Sequence, residues 1–210
     1  MTVLSQILQH KIVAIIRGAN PADVLKITRA LYDGGIRLVE VTYNSPNALE
    51  LVKELSDVMT DKMLIGMGTI LNAESAKKAI KEGAKFIISP NLNIETIQVT
   101  KQMGVISIPG AYTATEILAA YSNGGDIIKV FPASGVDYIK NIRGPLDQIP
   151  LMPTGGVTLN NVSDYFKAGA VTVGIGSDLV NTKLPVDDEY LEQLRIKANA
   201  FMQIAVRSAQ

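Results

Sequence analysis

Short apolar runs alternate with longer segments of helical pattern along the whole chain. Each run is brief and rich in β-branched residues, as buried strands are, and the segments between the runs carry apolar residues at three- and four-residue spacings. The runs are IVAIIR (12–17), LVEVTY (38–43), LIGMGT (64–69), FIISP (86–90), VISIPG (105–110), IIKVFPA (127–133), LMPTGG (151–156) and VTVGIGS (171–177). The alternation predicts about eight parallel strands joined by crossover helices.

Capping residues and glycines mark the predicted ends of the intervening helices. Asn20–Pro21 and Ser45–Pro46 each place a capping side chain before a proline, which favours a helix start. Glycines after the helical segments favour left-handed helix ends. These glycines are Gly34, Gly35, Gly83, Gly124, Gly125 and Gly169.

About eight parallel strands in a chain of 210 residues predict an α/β fold, a compact (β/α)8 TIM barrel, with a doubly wound open sheet as the alternative. The opening segment TVLSQILQH (2–10) is predicted to form a short extra helix before the first strand, and DDEYLEQLRIKANAFMQIA (187–205) a long closing helix. No linker, low-complexity segment or charge block divides the chain. A single barrel domain over residues 1–210 is therefore expected.

Composition and charge narrow the class of partner. Hydrophobic residues make up 47% of the chain and charged residues 19%, which suits a globular domain with an ample core. Lys and Arg number 20 and Asp and Glu number 20, so no net charge favours nucleic acid or an anionic membrane, and a small-molecule partner is expected. The absence of Cys, of a signal-peptide pattern and of a bilayer-spanning apolar run favours a cytoplasmic protein.

Side chains late in the apolar runs are the candidate catalytic groups, because TIM barrels carry their active sites at the C-terminal ends of the strands. Five positions stand out: Arg17, Glu40, Thr69, Pro90 and Lys129. These positions supply one carboxylate, and the single histidine, His10, lies in the opening segment, so a metal site is not expected.

Lys129 lies within an apolar run, IIKVF (127–131), where an ammonium group is costly to bury. One interpretation is a side chain that snorkels to the rim of the strands. The other is an amine whose pKa is lowered by its apolar pocket, so that it attacks a carbonyl and forms a Schiff base. Glu40 either pairs with Lys129 or Arg17, or also moves the protons that imine chemistry requires.

Two glycine-rich turns follow the last two runs. They contain Thr154, Gly155 and Gly156, and then Gly174, Gly176 and Ser177. Barrels often bind phosphate after the seventh and eighth strands through backbone N–H groups. The pair of turns therefore predicts a phosphorylated ligand.

The runs and their flanking turns include, in chain order, LVEVTYNSP, GMGTI, FIISPNL, IPGAYTATE, IIKVFPA, IRGPL, PTGGV and VGIGSDLV. Together they resemble the bacterial 2-keto-3-deoxy-6-phosphogluconate (KDPG) aldolases, which are also called 4-hydroxy-2-oxoglutarate aldolases. The resemblance covers nearly the whole chain. It implies a class I aldolase with a (β/α)8 barrel, usually a homotrimer, that cleaves a phosphorylated keto acid to pyruvate and glyceraldehyde 3-phosphate without a metal or other cofactor.

The resemblance also assigns roles to individual positions. Lys129 matches the Schiff-base lysine of the family, and Glu40 matches its acid/base glutamate. The other matches are Thr69 and Pro90 in the pyruvate pocket, Phe131 beside the lysine, and Gly155, Gly156, Gly176 and Ser177 in the phosphate site.

One position departs from the family pattern. Many members carry an arginine shortly after the glutamate, as in EVTLR, that binds the substrate carboxylate, whereas this chain reads EVTYNS and has Asn44 there. Arg17 resembles an arginine found at the end of the first strand in other members. We expect Arg17 to supply the carboxylate contact instead.

Several alternatives stay open on the sequence alone. Within the aldolases, the substrate is KDPG, its galactonate epimer (KDPGal) or 4-hydroxy-2-oxoglutarate. Outside them, a phosphate-binding barrel that isomerises or condenses its substrate without covalent catalysis and a non-catalytic ligand-binding barrel share the fold. Neither of those two classes requires a buried amine at Lys129.

Overall fold

A computed structural model describes residues 1–207 of the chain as parallel strands alternating with helices. In chain order the elements are α1 (Val3–His10), β1 (Ile12–Ile16), α2 (Pro21–Asp33), β2 (Leu38–Thr42), α3 (Ala48–Val58), β3 (Leu64–Gly68), α4 (Ala73–Lys81), β4 (Phe86–Ile88), α5 (Ile94–Gln102), β5 (Ile106–Ile108), β6 (Gly110–Ala111), α6 (Ala114–Ser122), β7 (Ile128–Val130), α7 (Val136–Arg143), β8 (Leu151–Pro153), α8 (Val162–Lys167), β9 (Val173–Ile175) and α9 (Asp188–Arg207). The predicted parallel α/β fold, the opening helix and the long closing helix are confirmed.

The strands form two parallel sheets. The larger has six strands in the order β5-β4-β3-β2-β1-β9, and the smaller has three in the order β6-β7-β8. Strands β5 and β6 both come from the fifth apolar run and are separated only by Pro109, which has no N–H to donate. A single parallel bridge joins Thr154, just after β8, to Gly174 of β9.

Of the two helix starts predicted from capping residues, one is confirmed and the other is wrong. Asn20 caps α2 as expected, and its side-chain oxygen accepts the N–H of Ala22 at 3.2 Å. The start predicted at Ser45–Pro46 is wrong, since α3 begins at Ala48 after a left-handed Asn47. The hydroxyl of Ser45 instead accepts the N–H of Gly18 and does not cap the helix.

Apolar side chains collect on both faces of the strands. The larger cluster lies between strands and helices. The smaller one holds residues from strands of both sheets together with one helical residue: Ile7, Val13, Leu38, Phe86, Ile88, Ile108, Ile127 and Met152. Because Val13 and Leu38 lie at the starts of their strands, Ile7 places α1 against the N-terminal strand ends. The C-terminal ends are left for a site.

Helix α9 is the longest helix of the described residues, with 20 residues, and packs closely on α2. A Cβ at Gly34, the residue that ends α2, would lie 2.5 Å from Cβ of Ala198 in α9, so this approach requires glycine. Neither α9 nor any other helix within residues 1–207 combines the length and apolarity that a bilayer span requires.

Candidate active site

Lys129 occupies the middle of β7 and is 3% exposed. Its strand neighbours in register are Gly110 of β6 and Met152 of β8. The ammonium nitrogen lies 5.3 Å from the centroid of the Phe131 ring, within the range of a cation–π contact. The snorkelling interpretation requires an exposed ammonium group, so this burial counts against it.

Glu40 lies in β2 and is fully buried. Neither of its carboxylate oxygens has a hydrogen-bond partner among the described residues. Burial raises the pKa of Glu40, while the positive charges of Lys129 and then Arg17 act to lower it. A buried carboxyl without a fixed partner is suited to accepting and releasing a proton.

Gly68 of β3 makes the space that the Glu40 side chain fills, and Gly66 makes space for a neighbouring aromatic ring. A Cβ at Gly68 would lie 1.6 Å from Oε1 of Glu40, a distance that no side chain tolerates. One pleat earlier, Gly66 is the register partner of Glu40, and a Cβ there would lie 2.2 Å from the Phe86 ring. The carboxylate of Glu40 therefore lies where Gly68 has no side chain.

Arg17 follows β1 and is exposed, and hydrogen bonds on both sides fix its backbone. Its carbonyl oxygen accepts the hydroxyl of Thr182 at 2.8 Å. The next N–H, of Gly18, donates to the hydroxyl of Ser45 at 2.9 Å, and that hydroxyl is also 2.9 Å from Oγ1 of Thr42. Sequence reasoning missed this role of Thr182, Ser45 and Thr42, whose only signal was their place at or after the C-terminal ends of strands.

Thr69 and Pro90 lie at the ends of neighbouring strands. Thr69 directly follows Gly68 and has a left-handed backbone with φ 58°. The backbone of Pro90 packs on Gly110, where a Cβ would lie 2.4 Å from the Pro90 carbonyl carbon. Because Gly110 is also the register partner of Lys129, Pro90 lies on the lysine side of the site.

A cavity of about 790 Å³ opens at the same strand ends. It is lined by several predicted site residues, namely Arg17, Phe131, Gly155, Gly156, Gly176 and Ser177. Neither Lys129 nor Glu40 lines this cavity, but Lys129 lies next to it, because its ammonium nitrogen is 5.3 Å from the ring of the lining residue Phe131. Thr69 and Pro90 lie outside its lining. The structure thus brings the predicted phosphate turns, Arg17 and the lysine strand together.

The glycines of the cavity have different physical requirements. Gly155 and Gly156 have left-handed φ values of +85° and +79°, which other residues rarely adopt. Gly176 has no such φ, and a Cβ there would meet nothing within 4 Å. Since packing does not require a glycine at this position, the space in front of Gly176 is available to a ligand.

A second cavity, of about 900 Å³, lies at the opposite ends of the strands. Its lining includes His10, Arg37, Leu64 and Lys85, which precede or begin strands, and none of the predicted site residues. Burial, and then the charge of Arg37, lower the pKa of His10. Its position at the N-terminal strand ends separates this cavity from Lys129 and Glu40.

Metal ligands do not cluster in the described residues: no group of three or more His, Asp or Glu side chains is placed to hold a metal ion. Asn44, which replaces the family arginine, is exposed beyond the end of β2. The charged groups at the strand ends nearest to Lys129 and Glu40 therefore include Arg17 but no second arginine at this position.

A buried amine, a buried carboxyl with no hydrogen-bond partner among the described residues, and a nearby cavity lined by Arg17 fit an enzyme that acts on a small anionic carbonyl compound. The family model "Aldolase: KDPG and KHG aldolase" matches residues 3–195. The chain belongs to this family and is an aldolase, a lyase that cleaves carbon–carbon bonds.

Two curated relatives carry different substrate names. The chain is 36% identical over 171 residues to the 2-dehydro-3-deoxy-6-phosphogalactonate aldolase of Escherichia coli, covering 80% of this chain and 83% of that protein. It is 32% identical over 183 residues to the 2-dehydro-3-deoxy-phosphogluconate aldolase of Treponema pallidum, covering 86% and 87%. These compounds are KDPGal and KDPG.

A solved structure of the same family superposes on nearly the whole chain. The KDPG aldolase of Legionella pneumophila, with pyruvate captured at low pH as a covalent carbinolamine intermediate, has a TM-score of 0.81 and 26% identity. The match covers 98% of both chains.

Proposed function

We propose that the protein is a class I aldolase that cleaves KDPG to pyruvate and glyceraldehyde 3-phosphate, with Lys129 as the imine-forming residue, and that it also splits 4-hydroxy-2-oxoglutarate to pyruvate and glyoxylate. The observation that carries the proposal is the burial of Lys129 at 3% exposure beside an unpartnered, fully buried Glu40. The carbinolamine captured in the Legionella pneumophila relative supports covalent chemistry.

The reaction begins at the keto carbon of the substrate. The neutral amine of Lys129 attacks this carbon and gives a carbinolamine, which loses water to form a protonated imine. Glu40 moves the protons of these steps, directly or through a water molecule. Its raised pKa suits this work, because a carboxyl that titrates nearer neutrality both accepts and donates protons.

Cleavage uses the imine as an electron sink. Glu40 takes the proton of the C4 hydroxyl, the C3–C4 bond breaks, and glyceraldehyde 3-phosphate leaves as the aldehyde. The electron pair of the broken bond forms an enamine on Lys129, which is protonated at C3 and hydrolysed to pyruvate and free amine. Each turnover thus consumes one substrate and regenerates the lysine.

Binding groups in the cavity and at the neighbouring strand ends orient the substrate. Arg17 and Thr69 hold the carboxylate next to the imine, with Pro90 and Phe131 forming the pyruvate pocket. The glycine turns, Gly155 with Gly156 and Gly176 with Ser177, hold the phosphate end. Binding energy at that distant end then serves to orient the reacting carbon.

KDPGal is the second candidate substrate, because the Escherichia coli relative at 36% identity is named for it. The two epimers differ only at C4. Rates of pyruvate release from KDPG, KDPGal and 4-hydroxy-2-oxoglutarate, measured side by side with EDTA present, decide among them. Faster cleavage of KDPGal would overturn the KDPG assignment, and cleavage of the unphosphorylated acid alone would overturn the phosphate site.

Borohydride trapping tests the covalent step. Wild-type protein incubated with pyruvate and borohydride should gain one adduct per chain, located at Lys129 by peptide mass spectrometry, because only an imine is reduced to a stable product. Lys129→Arg keeps a charge at this position but should form no adduct. The control Lys167→Ala removes an exposed lysine of α8 and should be trapped as wild type. An adduct that persists in Lys129→Arg contradicts the assignment.

A closed eight-stranded (β/α)8 barrel, forming one domain, is proposed as the complete architecture. Three observations support it: Pro109 alone separates β5 from β6, the Thr154–Gly174 bridge links β8 to β9, and the N–H of Val171 donates to the carbonyl of Leu151 at 3.0 Å. The smaller apolar cluster described for the fold, which contains residues from strands of both sheets, is the core of this barrel.

A homotrimer is proposed from the family resemblance. Helix α6 supports self-association, since Leu118 and Tyr121 lie on one face of it and are 45% and 38% exposed. Light scattering should give about three times the chain mass of 22.5 kDa. A monomer mass at micromolar concentration contradicts the proposal.

A further inference from the structure

The loop after β9 brings a cation to the cavity that sequence reasoning did not identify. Three charged residues line the cavity: Arg17, Asp178 and Lys183. The carboxylate of Asp178 lies 3.4 Å from the ammonium of Lys197, so its charge is already compensated. The two cations therefore give the lining a positive balance.

Lys183 is held at the cavity by its own loop. The hydroxyl of the preceding residue, Thr182, donates to the carbonyl of Arg17 at 2.8 Å. The backbone N–H of Lys183 donates to Oδ1 of Asn181 at 3.2 Å. These bonds tie the loop to the end of β1, while the exposed ammonium of Lys183 forms none of the ion pairs found within residues 1–207.

The two cations are not equivalent. Arg17 acts on the catalytic end, because its charge lowers the pKa of Glu40 against the effect of burial. Lys183 shares the cavity wall with the turn at Gly176 and Ser177, where a glycine is required by neither packing nor φ. A phosphate monoester carries a charge of about −1.5 to −2 at neutral pH, which neutral backbone N–H groups alone balance poorly.

We propose that Lys183 binds the phosphate end of the substrate and makes the enzyme select phosphorylated over unphosphorylated keto acids. This inference rests on the proposed function. It assigns one anionic end of the substrate to each cation: the carboxylate to Arg17 and the phosphate to Lys183. The contact is a charge-assisted hydrogen bond at a partly open site, so its effect weakens as salt rises.

The test compares Lys183→Gln with wild type on KDPG and on 2-keto-3-deoxygluconate, the same acid without phosphate. We expect kcat/KM for KDPG to fall about tenfold, mainly through KM, and the value for the unphosphorylated acid to stay within about twofold. Lys183→Arg should restore most of the loss. The control Lys140→Gln removes an exposed lysine of α7 that lies outside the cavity and should change neither value.

A binding measurement separates this inference from the catalytic proposal. Calorimetry with glycerol 3-phosphate should show a Kd about tenfold higher for Lys183→Gln than for wild type, whether or not the chain cleaves KDPG. Equal losses on both keto acids, or an unchanged Kd, overturn the role of Lys183. Absence of any pyruvate adduct in wild type overturns the proposed function instead, and the calorimetry still decides on Lys183.

Discussion

The position of Glu40 depends on the absence of a side chain at Gly68 in the neighbouring strand. The carboxylate is fully buried, has no hydrogen-bond partner among the described residues, and fills space that exists because Gly68 has no side chain. A carboxyl held by hydrogen bonds would keep its charge and give up its proton too readily to act as an acid. At the scale of the residue, the proton transfer that we propose for Glu40 therefore depends on steric room as much as on charge.

Gly68→Ala tests this dependence. The added Cβ would overlap Oε1 of Glu40 at 1.6 Å, so the carboxylate must move, and kcat should fall about a hundredfold or more, as it does when an acid/base group is lost. The control is Gly144→Ala, because Gly144 has a helical φ of −53° and its Cβ would lie 3.4 Å from the nearest atom. Wild-type kcat in Gly68→Ala would show that Glu40 is placed by other contacts.

The pH dependence of stability provides a second test of Glu40. Burial raises its pKa in the folded protein, so between the ordinary carboxyl value and the raised one the folded state holds a proton that the unfolded state has lost. The free energy of unfolding should therefore fall as pH rises through this window. The variant Glu40→Gln has no carboxyl group at this position, so its free energy of unfolding should not show this fall.

Thermal unfolding at about pH 5 and about pH 8 measures this difference. The gain in Tm of Glu40→Gln over wild type should be larger at the higher pH. The exposed Glu54 of α3 offers the matched control Glu54→Gln, which should show no such pH trend. A gain that is equal at both pH values contradicts a raised pKa.

At the scale of the element, the sequence pattern located all eight apolar runs as strands. A buried strand is recognisable because it is a short run of consecutive apolar, mostly β-branched residues. The pattern did not reveal the break at Pro109, where one run pairs with two different neighbours. It also misassigned Ser45 as a helix cap, since the hydroxyl of Ser45 accepts the N–H of Gly18, which is 27 residues away in the sequence. Lys129 and Glu40 were recognisable because charge inside an apolar run is rare, whereas Thr182 and Lys183 lie in a loop with no such contrast.

Helix α1 closes the N-terminal strand ends through a single fully buried side chain, Ile7. Ile7→Ala should lower the free energy of unfolding by about 3 kcal/mol, because it leaves a cavity in the smaller apolar cluster. The neighbouring Leu8 is 37% exposed, and Leu8→Ala should cost far less. Urea unfolding measures both. Below its unfolding transition, Ile7→Ala should keep wild-type kcat, and a large loss of kcat would mean that α1 also shapes the site.

At the scale of the whole molecule, the two ends of the strands carry different functions. One end is covered by α1 and leaves a polar cavity of about 900 Å³ that contains none of the predicted site residues. The other end gathers Arg17, Phe131 and the glycine turns around a cavity of about 790 Å³ next to Lys129. The packing of α1 and the proposed chemistry thereby lie at opposite ends of the strands, as in other parallel α/β enzymes.

The hydrogen bond from Thr182 to the carbonyl of Arg17 joins residues 165 positions apart. During synthesis the ribosome makes Arg17 long before Thr182, so the backbone of Arg17 lacks this hydrogen bond until most of the chain has been made. At the usual rate of about 5 to 20 residues per second, that interval is on the order of ten to thirty seconds. A nascent chain that already contains Lys129 and Glu40 still lacks the loop after β9 that lines the cavity, and we expect aldol cleavage only after that loop has emerged.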